Sequence, residues 1–227
     1  MIKFENTDVF NFEGAIRGMR NPLNSWDKSD SGHRCKIDNE SCNNQCSDYG
    51  YCDSVDNSKY LMGDNDLALM KKLIKAGSDH RKFMRQIFVS VDITAPLYWW
   101  KEFDTYKIAT VSNSCSTMHK IHAKDFTIED FSCEHLSAEY KECIYYFIHR
   151  INRAREQYIE TKDKKYWWQM IQLLPSSYNQ RRTITLNYET LYNIYGSRRN
   201  HKLDEWSVGF MEWIESLPYS ELITDRS

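Results

Sequence analysis

A strand that leads directly into a helix is the feature that most restricts the fold of this chain. From Ile87 to Thr94 every second residue is a β-branched aliphatic one, which is typical of a strand with one buried face. Pro96 follows at once and fits the first turn of a helix, because its missing N–H has no partner there. The predicted helix ends near residues 105–107, and its inward residues are Leu97, Trp100 and Phe103.

Helical periodicity dominates the rest of the chain. One helix is predicted from Asp64 to Gly77, with Asp64 or Asn65 as N-cap and Gly77 as the glycine that ends it. Residues 135–160 predict a long amphipathic helix, and shorter ones follow at 162–173, 182–198 and 202–217. The apolar stripe of the long helix is more typical of core or subunit contact than of a cofactor site; it comprises Leu136, Tyr140, Cys143, Ile144, Phe147 and Ile151. Helices around one or two strands predict the α+β class, in a single domain over 1–227.

Composition narrows the functional classes. The 227 residues are 41% hydrophobic and 14% aromatic with a formal charge of −2, values typical of a globular protein rather than a disordered one. Basic residues do not outnumber acidic ones, so the composition gives no reason to expect a nucleic-acid partner. No apolar run approaches the roughly 20 residues of a membrane span, and the N-terminus lacks the layout of a signal peptide. We therefore expect a cytoplasmic protein.

Four of the seven cysteines are close together in sequence: Cys35, Cys42, Cys46 and Cys52. Four thiols at this density are compatible with free thiols on a polar loop, a zinc site or two disulfides. The spacing contains no C-x-x-C pair, which disfavours zinc, and a reducing cytosol disfavours disulfides. Free thiols are the preferred interpretation, so no metal is expected. A zinc-dependent nucleic-acid module built on this segment is a minor alternative.

The stretch from Ala95 to His119 resembles the signature of the flavin-dependent thymidylate synthases. In that family an Ala-Pro opens a helix, and Arg-Gln, Arg-His-Arg and the pattern Ser-x-Asn-Glu-x-Ser-x-Arg-Tyr follow. Laid without gaps, the Arg-Gln pair falls on Lys101 and Glu102. The Arg-His-Arg triplet falls on Thr105, Tyr106 and Lys107, and the polar tail falls on Thr110, Ser112, Asn113, Cys115, Thr117 and Met118. The spacing is kept and most of the charges are replaced.

Two further blocks extend the resemblance. Near the C-terminus the family has Leu-Pro, an aromatic residue and a helix with two asparagines and an arginine, which fall here on Leu174, Pro175, Tyr178, Asn187, Asn193 and Arg198. Upstream, a helix ending in glycine precedes a polar loop and the strand before Ala-Pro. Family members have a shorter segment before that helix, so residues 30–60 are interpreted as a polar, cysteine-rich insertion.

The resemblance implies a fold and a reaction. The family fold is a curved antiparallel sheet with packed helices, assembled as a homotetramer with active sites between subunits. The reaction transfers a methyl group to C5 of dUMP: methylenetetrahydrofolate supplies the carbon, and FAD, reduced by NADPH, supplies the hydride. The protein supplies binding, orientation and electrostatic stabilisation. We expect a pyrimidine nucleotide as partner and FAD as cofactor.

The resemblance also implies residue roles. Arg198 would contact the pyrimidine and favour its ionised form, and Cys115 at the signature serine is the second candidate catalytic residue. Cofactor contacts are expected from His80, Tyr106, Lys107, Asn113, Asn187 and Asn193. Substrate contacts are expected from Lys101, Glu102, Thr105, Cys115, Ser116, Thr117 and Arg198. Cys115 either adds to the pyrimidine as a thiolate or fills the place of a serine.

The substitutions leave the activity open. Thr105 and Thr117 each replace a phosphate-binding arginine, and two lost charged hydrogen bonds cost about 1.5–3 kcal/mol each unless Lys101, Arg181 or Arg182 compensates. Glu189 replaces a flavin-contacting arginine. Asn113 replaces a glutamate and would suit an altered base such as cytosine. The alternatives are an enzyme that transfers a methyl or hydroxymethyl group to dUMP or dCMP, and a catalytically silent paralogue with a nucleotide-binding or assembly role.

Overall fold

A computed structural model of the chain describes residues 2–35 and 58–226. The predicted insertion at 30–60 lies mostly outside the described residues, and so do Cys42, Cys46 and Cys52. Within the described part, no three His, Cys, Asp or Glu side chains are placed so that they could hold a metal ion. Across the same residues, no helix is both long and apolar enough to cross a membrane.

The chain divides into two compact units. The first comprises residues 1–8, 90–186 and 196–214, and the second comprises residues 9–89, 187–195 and 215–227. The single domain expected from the sequence stays a prediction.

A four-stranded sheet organises the chain, in the order β1 (Lys3–Phe10), β4 (Phe88–Pro96), β6 (Asn179–Asn187) and β5 (Val111–Ser114). β5 pairs antiparallel with β6 and puts Asn113 opposite Thr183. The predicted strand is confirmed as β4, in which the alternating residues Val89, Val91 and Ile93 are fully buried. A separate antiparallel pair, β2 (Gly32–Cys35) with β3 (Ser58–Leu61), belongs to the second unit. The α+β class is confirmed, with more strands than the sequence predicts.

The first unit has two apolar cores. One is aromatic and forms around α3 (Leu97–Phe103), which was predicted with Leu97, Trp100 and Phe103 inward. Trp100 and Phe103 are buried, whereas Leu97 is only half-buried. The buried rings of this core are Trp99, Trp100, Phe103, Trp206 and Phe210. The second core lies beneath α4 (Ala138–Thr161) and α5 (Lys164–Leu173), where Ile151 and Met170 are fully buried. Both helices were predicted, but the first half of the α4 stripe is open to solvent, since Tyr140 and Cys143 are exposed.

The two helices predicted near the C-terminus are both present but shorter than expected. The helix expected at 182–198 begins only at Tyr188, as α6 (Tyr188–Arg198), because residues up to Asn187 complete β6. In that strand the residues Gln180, Ile184 and Leu186 alternate inward, and pairing with β5 holds them extended. The helix expected at 202–217 is a π-helical turn over Glu205–Phe210 that continues as α7 (Met211–Glu215). The predicted signature loop contains the edge strand β5.

The second unit packs α1 (Phe12–Arg20), α2 (Asp64–Lys75) and the short α8 (Glu221–Thr224). The helix predicted from Asp64 is confirmed as α2, although Gly63 rather than Asp64 or Asn65 is its N-cap. Gly77 has φ of +108°, which is the left-handed conformation expected of a glycine that ends a helix. Arg20 and Asp66 form a buried ion pair between α1 and α2.

Candidate functional site

Arg198, at the end of α6, is held by a cluster in the first unit. Its Nη1 donates to Glu102 Oε1 at 2.6 Å, and its Nε donates to the Tyr106 hydroxyl at 2.7 Å. The guanidinium lies 5.3 Å from the centroid of the Trp206 ring. We call Glu102, Tyr106, Arg198, His201 and Trp206 the arginine cluster. The structure therefore brings together three residues for which the resemblance implied ligand contacts.

Glu102 is the centre of this cluster. Besides Arg198, its Oε1 lies 3.3 Å from His201 Nε2, and its Oε2 accepts the Trp206 Nε1–H at 2.9 Å. The Glu102 side chain is 29% exposed and that of Arg198 is 19% exposed, so water screens the pair only in part. The carboxylate thus neutralises the guanidinium on which the predicted pyrimidine contact depends.

A second group of predicted residues shares a cleft of about 230 Å³ in the same unit, which we call the cysteine cleft. Its lining includes Cys115, Ser116, Thr117, Tyr178, Gln180 and Arg181. The loop is anchored to β6, because Cys115 N donates to Arg181 O at 2.9 Å and Cys115 O accepts from Gln180 Nε2 at 2.7 Å. The Cys115 residue itself is exposed. A ligand in this cleft would meet the Cys115 thiol and several hydroxyl groups, among them those of Ser116 and Thr117, and also the carboxylates of Glu129 and Asp130.

The cations around the cysteine cleft already have acidic partners. Arg181 contacts Asp92 at 2.8 Å and Glu5 at 3.2 Å, and Lys124 contacts Asp130 at 2.6 Å. Hydrogen bonds from Thr183, Arg181 and Asn6 hold the pKa of Asp92 well below its usual range. Asp92 is therefore a stable anion, and Arg181 keeps its partner at all ordinary pH values.

Arg182 is occupied in a similar way. Its Nη1 donates to Asp104 at 2.7 Å and its Nε donates to Gln180 at 2.9 Å. Its guanidinium also lies 4.2 Å from the centroid of the Trp100 ring. Arg181 and Arg182 therefore replace the lost arginines only if a ligand displaces their present partners.

The other predicted residues of the first unit lie at the surface. Lys101, Thr105, Lys107 and Asn113 are exposed. Thr105 Oγ1 donates a hydrogen bond to the backbone carbonyl of Glu102 at 2.8 Å, near the C-terminal end of α3. The ligand roles predicted for these four residues stay predictions.

The predicted flavin residues His80, Asn187 and Asn193 belong to the second unit. His80 is exposed in the polar loop and Asn193 is exposed on α6. The mid-helix position predicted for Asn187 is wrong: it ends β6, is buried, and its Oδ1 accepts from Thr190 N at 2.9 Å. This bond caps the start of α6. A structural role is thus sufficient to explain Asn187, and its cofactor role stays a prediction.

Glu189 has a role that was not foreseen. This nearly buried carboxylate binds Arg85 and also Arg81, the latter at 3.3 Å, within the second unit. Both arginines come from the 3₁₀ turn Arg81–Gln86 that follows His80. His201, Trp206 and Gln180 were also missed. Only the nearness of His201 to Arg198 in sequence offered a signal, since these contacts depend on tertiary packing.

This chain has the fold of the flavin-dependent thymidylate synthases, as two structural matches show. A crystal structure of thymidylate synthase X from Helicobacter pylori with FAD and dUMP matches with a TM-score of 0.65 and 12% identity, over 100% of this chain and 98% of that chain. A second structure of the Helicobacter pylori enzyme, complexed with FAD and dUMP, matches with a TM-score of 0.63 and 12% identity, over 99% and 97%. No protein-family model and no curated protein matches the chain. At this identity the likeness confirms the fold alone.

Proposed function

We propose that this chain is a thymidylate-synthase-like enzyme of pyrimidine nucleotide metabolism. The reaction is transfer of a methyl or hydroxymethyl group from methylenetetrahydrofolate to dUMP or a related pyrimidine nucleotide. Methyl transfer uses FAD as cofactor and NADPH as reductant, whereas hydroxymethyl transfer takes up water in place of the hydride and consumes no reductant. The observation that carries this proposal is the likeness in fold, over the full chain, to a thymidylate synthase that contains FAD and dUMP. Fold alone does not fix function, so the residues must supply the rest of the argument.

The arginine cluster supplies the electrostatic part. In the proposed site Arg198 faces the pyrimidine, where a fixed guanidinium stabilises negative charge on the ring. Tyr106 offers an aromatic face for stacking. The hydroxyl groups of Ser116 and Thr117 and the exposed amine of Lys107 bind the nucleotide phosphate, the amine as a point charge.

The polar loop of the second unit suits a dinucleotide cofactor in part. His80 and Lys82 are exposed there and provide donors for a diphosphate, whereas Arg81 and Arg85 are bound to Glu189. We assign His80, Lys82 and Asn193 to FAD on this basis. When bound, the flavin supplies the hydride, and the protein residues hold and orient it.

We expect the variant Glu189→Gln to bind FAD about tenfold more tightly than the wild type. Removing the carboxylate frees two guanidinium groups for the cofactor phosphates, and a tenfold gain corresponds to about 1.4 kcal/mol. The dissociation constant is measured by titrating FAD and following its visible absorbance. Glu13→Gln is the control, because Glu13 is an exposed partner of Arg17 in the same unit. Equal affinities in wild type and Glu189→Gln would contradict the assignment of this loop.

The role of Cys115 is decided by one conservative variant. A thiolate that adds to C6 of the pyrimidine requires that Cys115→Ser lose turnover while its nucleotide affinity stays the same, because a hydroxyl is a far weaker nucleophile. Full turnover in Cys115→Ser means that the thiol only fills the position of a serine.

The absorption spectrum of the purified protein tests the proposed function most directly. We expect a flavin band after addition of FAD, and a change in that band after addition of dUMP or dCMP, because the proposed reaction uses the flavin and the nucleotide together. Mutual stabilisation is checked by melting temperature, since each ligand that binds the folded state raises it. A protein that has no flavin absorption band after addition of FAD would contradict the proposal that it is a flavoenzyme.

A second candidate function is favoured by the paired cations. Arg81, Arg85, Arg181, Arg182 and Arg198 all have carboxylate partners within the chain. This is what a catalytically silent paralogue would retain, acting as a nucleotide-binding or assembly protein. Binding of FAD and nucleotide without turnover supports that candidate, and turnover rejects it.

We also propose that the chain acts as a cytoplasmic homotetramer. Support comes from the family resemblance and from the first half of α4, where Tyr140, Tyr145 and Tyr146 are exposed and suit subunit contact. Light scattering after gel filtration measures the assembly mass, and a monomer at micromolar concentration would contradict the proposal.

A further inference from the structure

An apolar cavity in the first unit has a volume of about 700 Å³ and shares no residue with the arginine cluster or the cysteine cleft. Its apolar lining consists of Ile2, Phe4, Val208 and Trp213. The rings of Phe4 and Trp213 are stacked, with centroids 4.8 Å apart and planes 4° from parallel. This size and lining are typical of sites for small organic molecules. We call this cavity the acidic pocket, because four carboxylates belong to its lining.

Carboxylates surround the apolar lining: Glu134, Asp204, Glu205 and Glu212. Among the described residues that line the pocket none is Lys or Arg, and His135 places its Nε2 3.4 Å from Asp204. Burial alone would raise the pKa of Glu134, but a positively charged partner lowers this pKa. The carboxylates outnumber these cationic groups, and a cleft with an excess of one charge and walls of low dielectric concentrates its field and attracts the opposite charge. The complementary ligand is therefore cationic as well as apolar.

Several contacts fix the walls of the pocket. Glu205 is only 6% exposed, and the Tyr98 hydroxyl donates to its Oε1. Trp213 Nε1 donates to Thr7 Oγ1 at 3.0 Å, which sets the orientation of the indole. A Cβ on Gly209 would clash with Ile2 Cγ2, so glycine is required for this close approach. Val208, in contrast, leaves 47% of its surface exposed within the lining.

We propose that the acidic pocket binds an organic cation, a protonated amine on an aromatic or aliphatic body. The body packs on Val208 and on the Phe4–Trp213 pair. The ammonium group lies among the carboxylates, with Glu212 as an exposed partner, and the aromatic rings add cation–π attraction. This site is independent of the proposed nucleotide function, since it uses other residues and the opposite ligand charge.

Two matched pairs of probes test the role of the charge. Tryptamine is compared with its neutral analogue tryptophol, and 4-phenylbutylamine with 4-phenylbutanol, by isothermal titration of the full chain at low salt. We expect each amine to bind at least tenfold more tightly than its alcohol, with a difference that shrinks as salt is added. Equal affinities of amine and alcohol in both pairs, or no binding by either amine, would overturn the proposal.

Variants then locate the site. Glu212→Gln should weaken tryptamine binding at least threefold, and Val208→Arg should abolish it by placing a cation at the open part of the lining. Glu142→Gln is the control, because Glu142 is exposed on α4 and does not line the pocket. Circular dichroism confirms that each variant is folded. Unchanged tryptamine binding in folded Val208→Arg would overturn the assignment. It would also be overturned if the wild type forms a concentration-dependent dimer and Val208→Arg dissociates it, because this surface would then be a contact between copies of the chain.

Discussion

Replacing Asp66 with alanine should lower the free energy of unfolding by about 3–5 kcal/mol, the usual cost of breaking a buried ion pair. Asp66 is 0% exposed, and its Oδ1 accepts from Arg20 Nε at 2.6 Å. Its Oδ2 accepts from the hydroxyl groups of Ser29 and Ser31 at 2.7 and 2.6 Å. The variant leaves the Arg20 guanidinium, itself 4% exposed, without its carboxylate. Urea unfolding followed by circular dichroism measures the change.

Acid titration gives an independent check on Asp66. Burial alone would raise the pKa of Asp66, but hydrogen bonds from Ser31, Ser29 and Arg20 outweigh it and lower the pKa below its ordinary value. A lowered pKa in the folded state means that the stabilisation is present above the unfolded pKa of about 3.9 and is lost as the pH falls below it. The wild type should therefore lose more stability than Asp66→Ala between about pH 5 and pH 2.

The neighbouring Asp64 provides the control for both measurements. Asp64 is exposed in the first turn of α2, where a negative charge interacts with the helix dipole for only about 0.3–1 kcal/mol. Asp64→Ala should therefore cost less than about 1 kcal/mol. A similar small cost in Asp66→Ala would show that the buried network does not stabilise the second unit.

Local sequence patterns correctly predicted those helices and strands whose apolar residues recur at one spacing only, helical or strand-like. The alternation in β4 and the capped apolar face of α2 each identify one structure, and both were predicted near their observed bounds. Residues 182–187 were predicted as the start of a helix, but the structure places them in β6. Pairing with β5 decides in favour of a strand, and no local pattern encodes that partner.

The sequence predicted some of the residues of the candidate site but not the contacts between them. Motif spacing selected Glu102, Tyr106 and Arg198, which the structure brings into contact. No local pattern indicated that Glu102 would pair with Arg198, since that contact depends on the packing of α3 near the end of α6. Side-chain partners decide whether a cation is available to a ligand, and they follow from tertiary structure.

That pairing leads to the second prediction: Glu102→Gln should shift the nucleotide preference toward dUMP over dCMP by about thirtyfold. The prediction rests on the proposed function of Arg198. In the wild type the Arg198 guanidinium and the Glu102 carboxylate lie 2.6 Å apart and carry no net charge together. A uracil ring that loses its N3 proton is then attracted by one group and repelled by the other. Cytosine has no acidic N3–H, so it gains nothing from a positive charge there.

The variant removes the repulsion and leaves the attraction. At about 5 Å and an effective dielectric constant of about 20, a unit charge contributes about 3 kcal/mol, and partial exposure of the pair reduces this to about 2 kcal/mol. The amide oxygen of the substituted side chain can still accept from Trp206 or Arg198, so the fold of the cluster should persist. Dissociation constants of dUMP and dCMP, measured by isothermal titration at pH 8 for both proteins, give the preference as a ratio.

The outcomes separate failure of this prediction from failure of the proposed function. Glu156→Gln serves as the control. Glu156 is exposed on α4 and does not belong to the arginine cluster, so the variant removes one negative charge without changing the partners of Arg198. If neither protein binds either nucleotide, the nucleotide function itself is wrong. If both bind and the ratio of dUMP to dCMP affinity is the same in wild type, Glu102→Gln and Glu156→Gln, nucleotides bind but Glu102 does not set the base preference. A shift confined to Glu102→Gln would assign base selection to the Glu102 carboxylate within the arginine cluster.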